Sequence, residues 1–233
     1  MTVSRATLAD QVAKELIARI ERDGLRPGDE IPPEAELARE FDVNRLVIRE
    51  AVRTLVAREI LISSQGRPSR VRIPSARVFA EMLDFRVAQQ SLDLDDLLET
   101  RRLIESELAR RAAERVKQGL VTLDSAQELV DRMAASADDR ERFVELDVRF
   151  HALIAEASGS TFLQLILTSL ESVLLRARRS TYAARERRNE GHDATVTAHG
   201  RILHAIQAGE PHEAAAAMEE HLRETQRDVT WDA

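Results

Sequence analysis

Residues 25–61 decide the fold of the N-terminal part of this chain, and they read LRPGDEIPPEAELAREFDVNRLVIREAVRTLVAREIL. Pro27 and Gly28 predict a turn, because proline fixes φ and glycine permits a positive φ. A short helix is predicted over residues 33–41, since proline is well placed in a first helical turn. A three-residue break follows, and its last residue, Asn44, can cap a second helix. Two helices joined by so short a break indicate a helix-turn-helix.

The second of these predicted helices has two different faces. One face is apolar and consists of Val47, Ile48, Ala51 and Leu55. The other face carries arginines spaced four residues apart, namely Arg45, Arg49 and Arg53. The apolar face can pack on the domain, while the arginines can reach phosphates and guanine edges in the major groove. On an isolated helix such a row of arginines would more often be an ordinary solvated face. Whether the row binds DNA therefore has to be inferred from the elements that flank this helix.

Those neighbouring elements complete a winged helix. A capping-box-like start at Thr7 predicts an amphipathic first helix that ends near Gly24. Two short strands are predicted at residues 60–62 and 70–73, and they enclose a hairpin loop. Such a wing can lie against the DNA backbone or enter the minor groove; its candidate contact residues are Gln65, Gly66 and Arg67. We therefore predict a winged helix-turn-helix domain over residues 5–74.

The distribution of charge agrees with this interpretation better than the total charge does. The chain has a formal net charge of −7, which by itself argues against nucleic-acid binding. Residues 43–72, however, contain seven arginines and only two glutamates. A basic segment followed by an acidic body is typical of a DNA-binding domain attached to a second domain that does not bind DNA.

The composition restricts the remaining possibilities. A chain of 233 residues is long enough for two domains with separate cores. The absence of cysteine excludes disulfides and thiolate metal sites. The N-terminal segment carries charges throughout and has no long apolar run, so we expect neither a signal peptide nor a membrane anchor and predict a cytoplasmic protein.

The rest of the chain is predicted to be entirely helical. Residues 75–92 are interpreted as a linker and the first helix, and residues 93–229 as a helical domain. The predicted helices are 76–89, 93–117, 123–137, 139–157, 161–187, 194–208 and 211–228. Their short connections indicate an antiparallel bundle of six or seven helices. The predicted fold class is therefore mostly α, with the winged helix-turn-helix first and the bundle second.

Four ionisable residues lie on apolar stripes of these helices. Asp147 and His151 are one turn apart on one helix, and His199 and His221 lie on two others. A carboxylate and three imidazoles directed at one interior can bind a divalent metal ion. Each histidine alone is more often a hydrogen-bonded core residue, but burying four such groups without a shared partner would be costly. His192 and His212 are expected to be solvated, and His204 is expected to lie off this stripe. None of the three is assigned a function.

The N-terminal motif resembles the DNA-binding domain of the GntR family, whose pattern is LxxGxxLPxExxLAxxFGVSRxxVREAxxxLxxxGLL. Gly28, Pro32 and Glu34 keep its spacing. The resemblance implies that Asn44, Arg45, Arg49 and the wing around Gly66 contact DNA. The chain departs from the pattern at positions that should not damage the fold, namely Ile31 for leucine, Asp42 for glycine, Asn44 for serine or threonine, and Ile60 for glycine. Ala35 stands where the family often has a DNA-contacting arginine, so base preference is expected to differ.

The helical part resembles the FCD ligand-binding domain of the FadR-like branch of that family. The signals are Glu99-Thr100-Arg101 with Glu105, Asp147-xxx-His151-xx-Ile154, and the pair His199 and His221. The resemblance implies that Asp147 and the three histidines bind a divalent ion, with zinc, nickel and manganese all suitable. It also implies that a small organic acid binds there. Arg101 is the candidate anchor for its carboxylate, although an internal pair with Glu105 is equally compatible with the sequence.

These features predict a transcription regulator, in the usual case a repressor. A homodimer would bind a pseudo-palindromic operator, and an effector acid would alter its affinity. One alternative is a metal-free regulator that responds to an acyl compound or another small molecule. The other is a metal-dependent hydrolase with a DNA-binding head, which the sequence disfavours because it lacks a well-placed general base and an H-E-x-x-H motif. We therefore expect the chain not to be an enzyme.

Overall fold

The computed structural model of the chain describes residues 7–63 and 67–229. The chain divides into two compact units, with the division between Val78 and Phe79. The predicted mostly helical fold with a small N-terminal sheet is confirmed. Among the described residues, no helix combines the length and the apolar character that crossing a membrane requires.

The first unit is a winged helix. Its helices and strands are α1 (Leu8–Arg22), α2 (Glu34–Glu40), α3 (Arg45–Ala57), β1 (Leu61–Ile62) and β2 (Arg70–Val71). The strands pair antiparallel, with Leu61 opposite Val71. Thr7 and Asp10 form a reciprocal capping box that begins α1. Each side chain accepts a hydrogen bond from the backbone N–H of the other residue, and at the start of a helix these N–H groups would otherwise have no partner.

The core of this unit comes from the apolar faces of all three helices. Leu16 of α1, Leu37 of α2, and Ile48 and Leu55 of α3 are completely or almost completely buried against one another. At about 1.5–3 kcal/mol for each such side chain, this cluster holds α3 in place with its arginine face outward.

Among the described residues of the winged helix, two residues other than glycine have a left-handed backbone. Asp42 lies between α2 and α3 with φ 50°, and Glu59 follows α3 with φ 56°. Both correspond to glycines of the family pattern, since glycine alone adopts this region without cost. The sequence comparison that placed Ile60 at the second of these glycines is wrong. Counting along the family pattern from Leu55 places that glycine at Glu59.

The side chain of Glu59 connects the end of α3 to the segment after the wing. It is only 3% exposed. Its carboxylate accepts hydrogen bonds from the backbone N–H of Ser75 at 2.8 Å, the Ser75 hydroxyl at 2.5 Å and Arg77 Nε at 2.8 Å. These bonds lower the pKa of Glu59 to about 2, so the carboxylate is ionised at neutral pH.

The helical unit contains the remaining helices. They are α4 (Arg77–Ala88), which begins just before the division, α5 (Leu94–Lys117), α6 (Ala126–Ala135), α7 (Arg140–Ala157), α8 (Thr161–Ser169), α9 (Glu171–Arg187), α10 (Asp193–Gln207) and α11 (Pro211–Asp228). Phe150, Leu146, Ile154 and Ile202 are central to its core. The alanines Ala109, Ala112 and Ala113 of α5 are fully buried, and their small size lets neighbouring helices approach closely.

The single helix predicted over residues 161–187 is wrong, because α8 and α9 are separate helices that meet at Leu170. No glycine or proline marks this break. Instead, the buried Ser169 hydroxyl donates to the carbonyl of Ile166 at 2.6 Å, and side-chain bonds of this kind compete with the helical pattern. Ser169 and Leu170 are both buried, so tertiary packing rather than local chemistry favours the bend.

Candidate functional site

The two faces of α3 are as different in the structure as in the sequence. Ile48, Ala51 and Leu55 are completely buried, whereas Arg45, Arg49 and Arg53 are exposed. Asn44 begins the helix, with its side-chain oxygen accepting the backbone N–H of Val47 at 3.0 Å. The exposed side of α3 therefore carries positive charge on a rigid, capped helix.

The arginines of this surface differ in how they are paired. Arg49 Nε lies 3.5 Å from Glu34, and Arg53 lies 2.8 Å from Glu50. Within residues 7–63 and 67–229, neither Arg45 nor Arg67 has a hydrogen bond or an ion pair. Exposed pairs contribute only about 0–1 kcal/mol, so all four side chains can be recruited by phosphates. Gln65 and Gly66, the other wing candidates, lie outside the described residues.

In the helical unit, three helices bring Asp147, His151, His199 and His221 together. We call these residues the four-residue cluster. Helix α7 supplies the first two, α10 supplies His199 and α11 supplies His221. One potential ligand atom from each residue lies within 4.8 Å of all the others. All four side chains are buried.

Two imidazole nitrogens of this cluster lack hydrogen-bond partners within residues 7–63 and 67–229. His199 Nε2 lies 3.3 Å and His151 Nε2 lies 3.8 Å from Asp147 Oδ1. Both Nε2 atoms are nevertheless buried without a hydrogen bond. Buried polar atoms are rarely left in this state, and an ion is one of the recognised explanations. The donor set of three imidazoles and one carboxylate fits a divalent transition metal.

The protonation states of the cluster agree with the requirements of a metal ligand. Burial lowers the pKa of His199 to about 3. Burial and the neighbouring histidines hold the pKa of His221 well below its ordinary value. Burial opposes ionisation of Asp147, but Arg178 and the histidines outweigh it and lower the pKa of this carboxyl group. The two histidines are thus neutral and the aspartate is ionised, as coordination demands.

Three further charged residues surround the cluster. Glu105 contacts His151 Nδ1 and accepts a hydrogen bond from Arg101 Nε at 2.5 Å. Arg178 Nε donates to Asp147. Arg101 therefore pairs with Glu105, which the sequence analysis had left as an open possibility. The sequence interpretation missed Arg178, although its position four residues after the buried Leu174 places it on the inward stripe of α9.

One prediction about the other histidines is wrong. His192 is only 5% exposed, and its ring stacks on that of Tyr182 with centroids 3.9 Å apart. It precedes α10 in a connecting segment, where the sequence pattern indicates solvent, but Tyr182 and Phe143 cover it. His212 is exposed, as predicted, and His204, which was predicted only to lie off the stripe, is exposed as well.

A cavity adjoins the four-residue cluster. It encloses about 610 Å³ of space between protein atoms, including its opening to solvent. Asp147 and His221 line it together with Arg101 and Arg178. Two buried residues of the cluster and two guanidinium groups therefore face a space that a small anion can enter.

An outward arginine helix and wing in one unit, and a buried polar cluster beside a cavity in the other, define a DNA-binding transcription regulator. Comparison with known proteins agrees with this class. Residues 8–71 match the family of bacterial regulatory proteins called gntR, and residues 96–224 match the FCD domain. The chain belongs to the GntR family and carries an FCD domain, so it is a regulator and not an enzyme.

Individual relatives resemble the chain along nearly its whole length. The HTH-type transcriptional repressor NanR of Enterobacter sp. (strain 638) is 30% identical over 236 residues, which cover 99% of this chain and 88% of the relative. NanR of Klebsiella aerogenes is 29% identical with the same coverage. The solved structure of Streptococcus agalactiae GntR is 26% identical, with a TM-score of 0.56, and the match covers 94% of this chain and 99% of that one.

Proposed function

We propose that this regulator binds a small organic acid beside a divalent metal ion in its helical domain, and that the acid changes its affinity for an operator. One observation carries the proposal. The four-residue cluster is buried, its ligand atoms lie within 4.8 Å of one another, and two of its nitrogens have no hydrogen-bond partner. Asp147, His151, His199 and His221 would hold the ion. Zinc, nickel and manganese all suit this donor set.

The metal would supply concentrated positive charge at the inner end of the cavity. Arg101 is the proposed second anchor for the carboxylate of the acid. Its Nε is engaged by Glu105, but within the described residues its terminal nitrogens have no partner, and the side chain lines the cavity. A guanidinium can bind a carboxylate through two parallel hydrogen bonds.

The proposed DNA interface consists of the start of α3 and the wing. Its members are Asn44, Arg45, Arg49, Gln65, Gly66 and Arg67. The oxygen of Asn44 is occupied by capping, which leaves its amide N–H groups for DNA. Arg45 and Arg67 are proposed as the strongest contacts, because no ion pair within the described residues has to be broken first.

We propose that two copies of the chain bind a pseudo-palindromic operator as a homodimer in the cytoplasm. The two-fold symmetry of such operators mirrors that of the protein. Relatives named as repressors favour repression, with release of DNA when the acid binds. Sedimentation of the protein with and without an operator, selected from random DNA, would test the stoichiometry; a complex of one chain with one operator would contradict the dimer.

One observation favours a metal-free alternative. The two buried guanidinium groups, Arg101 and Arg178, already balance the two buried carboxylates, Glu105 and Asp147. The cluster could therefore be electrically neutral without an ion and bind an acyl compound or another small molecule directly.

Elemental analysis of protein prepared without chelators or a histidine tag distinguishes these two possibilities. Wild type is expected to contain about one divalent ion per chain, and the double variant His199→Ala/His221→Ala none. The matched control is His204→Ala/His212→Ala, which removes exposed histidines from the same two helices and should keep the ion. Wild type that remains without metal after candidate ions are added would reject the metal site and favour the alternative.

A further inference from the structure

The cavity has a second layer of side chains, one helical turn from the four-residue cluster. Four helices each carry either one residue of the four-residue cluster or its ion-pair partner Arg178, and another residue four positions away. The pairs are Asp147 and Phe143 on α7, Arg178 and Tyr182 on α9, His199 and Thr195 on α10, and His221 and Thr225 on α11. We call Phe143, Tyr182, Thr195 and Thr225 the outer layer, and all four line the cavity. Residues four apart share a helix face, and four residues rise about 6 Å along the axis.

His192 completes the outer layer. Its ring lies 3.9 Å from that of Tyr182 and 4.8 Å from that of Phe143, measured between centroids. It also lines the cavity. The three rings of the outer layer are therefore in mutual contact, and the two threonines line the same cavity.

Two polar side chains of this layer have no hydrogen-bond partner among the described residues. His192 is 5% exposed and Thr195 is 8% exposed. Within the part of the chain that the structure describes, neither ring nitrogen of His192 and no hydroxyl of Thr195 has a hydrogen bond. Neither residue is among those whose polar side-chain atoms are completely buried without a partner, so these atoms remain accessible from the cavity that both residues line. A ligand in the cavity can therefore form hydrogen bonds with both side chains without displacing a protein partner.

The charge at the outer layer differs from the charge at the inner end. The inner end has Arg101 and Arg178 and would have the metal as well. At the outer layer the cation on the cavity wall is Arg185, and its Nε already lies 2.8 Å from Asp228. Burial and Arg185 lower the pKa of His192, so its imidazole is neutral, with one donor and one acceptor nitrogen. A neutral hydroxyl group matches this pair of functions, whereas a second carboxylate would meet Arg185, whose charge Asp228 already balances, without the second guanidinium and the metal of the inner end.

We infer that the effector is a monocarboxylic acid whose distal part carries a hydroxyl group, bound by His192 and Thr195 one helical turn from the carboxylate. The inference rests on the proposed function, which places the carboxylate at the metal and Arg101. Since three bonds of an extended chain span about 3.8 Å, a separation of about 6 Å corresponds to roughly five bonds. The cavity then recognises both the charge of the acid and the polarity of its tail.

Three six-carbon acids that differ only at the far end test the inference. The probes are hexanoate, 6-hydroxyhexanoate and adipate, titrated by calorimetry into the metal-loaded, full-length protein. The hydroxy acid is expected to bind about tenfold more tightly than either of the others, as two additional hydrogen bonds of ordinary strength imply. Equal or tighter binding of hexanoate or adipate would overturn the inference.

Two variants locate the preference in the outer layer. His192→Phe keeps a ring to stack on Tyr182 but removes both nitrogens, and Thr195→Val keeps the shape of the side chain but removes the hydroxyl. Each should reduce the preference for the hydroxy acid toward parity, while hexanoate affinity and metal content stay as in wild type. The control His204→Phe, on the exposed side of α10, should retain the full preference.

The outcomes separate this inference from the proposed function. If all three acids bind equally and binding requires the metal, only the inference about the outer layer is wrong. It is also wrong if the preference persists in both His192→Phe and Thr195→Val. If none of the acids binds to the metal-loaded protein, the proposed function fails and the inference fails with it.

Discussion

The charged residues of α3 and those around the four-residue cluster lie in opposite environments. The arginines of α3 are exposed, and their pairs with Glu34 and Glu50 are open to water. Arg101 and Glu105 are 7% and 2% exposed and pair with each other inside the helical unit. The same residue types therefore occur once as a solvated surface and once as a buried network.

This difference determines what each group of charges can do. A solvated arginine loses little when it leaves a glutamate for a phosphate, because exposed pairs are weak. A buried charge is costly to leave without a partner, so the inner network is stable only when every member is matched, by a neighbour or by a ligand. We therefore expect substitutions in α3 to affect DNA binding without affecting stability, and substitutions in the network to affect stability first.

The largest expected effect is that of Glu105→Ala. The substitution leaves Arg101 buried without its partner and removes the contact to His151. Removing one member of a buried ion pair costs about 3–5 kcal/mol, and we expect the free energy of unfolding to fall by that amount. Urea denaturation of metal-free protein measures it.

Glu107→Ala on the same helix is the matched control. Glu107 pairs with Arg110 and Arg111 at 2.8 and 2.7 Å, but its side chain is 36% exposed. Its removal should cost less than about 1 kcal/mol. If the two variants lost equal stability, the contrast between buried and solvated charges would not hold for this protein.

The next largest effect is expected for Arg45→Ala, and it concerns binding. If this side chain contacts a base edge, operator affinity should fall by about 1–3 kcal/mol, or roughly tenfold to a hundredfold. The free energy of unfolding should stay within about 0.5 kcal/mol of wild type. Fluorescence anisotropy with an operator selected from random DNA measures the affinity.

Arg22→Ala on α1 serves as the control for Arg45→Ala. Its side chain is 63% exposed and lies outside the proposed interface, so its removal should change affinity little. Loss of affinity in Arg22→Ala and not in Arg45→Ala would move the interface away from α3.

Glu59→Gln should change how stability depends on pH. The pKa of Glu59 in the folded protein is about 2, below its ordinary value of 4.5. A lowered folded-state pKa contributes stability that is complete above about pH 4.5 and is lost as the pH falls toward 2. Wild type should therefore melt at a higher temperature than Glu59→Gln at pH 7, and the difference should shrink at pH 3.

The exposed Glu36 provides the comparison for this pH dependence. Glu36→Gln should melt in parallel with wild type at both pH values, as measured by circular dichroism. A difference between Glu59→Gln and wild type that persisted unchanged at pH 3 would show that the ionised carboxylate is not what Glu59 contributes.

The smallest expected effect is a gain in stability from Asp42→Gly. Asp42 has a φ of 50°, where a residue with a side chain is strained by about 1–2 kcal/mol. Glycine relieves this strain but increases the entropy of the unfolded chain, so we expect a net gain of about 0.5–1 kcal/mol in urea denaturation. Asp42→Ala should instead destabilise the protein, and a gain in both variants would contradict the explanation by backbone strain.

The winged helix could be predicted well because its determinants are local. The turn at Pro27 and Gly28, the cap at Asn44 and the arginine spacing of α3 all lie within a continuous stretch. The apolar period of the later helices also placed Asp147, His151, His199 and His221 on inward faces. The periodic spacing of apolar residues along a helix indicates which side chains face the core. This information was sufficient to select the four residues.

Other features could not be obtained in this way. The break between α8 and α9 has no glycine or proline, and it depends on the burial of Ser169 and Leu170. His192 lies in a connecting segment with no period, so only its stacking on Tyr182 reveals that it is buried. Arg178 was missed because a long cationic side chain on an apolar stripe can also extend to solvent.

The amino-acid sequence by itself determined the order of helices and strands apart from the break between α8 and α9, the outward arginines of α3 and the residue types available for the cluster. These follow from propensity, capping and period, which act over a few neighbouring residues. The tertiary structure alone decided the partners, such as Glu105 for Arg101, Arg178 for Asp147, and His192 for the outer layer of the cavity. Partners depend on how distant helices pack, because distances between helices are set by the fit of their buried side chains and not by spacing along the chain.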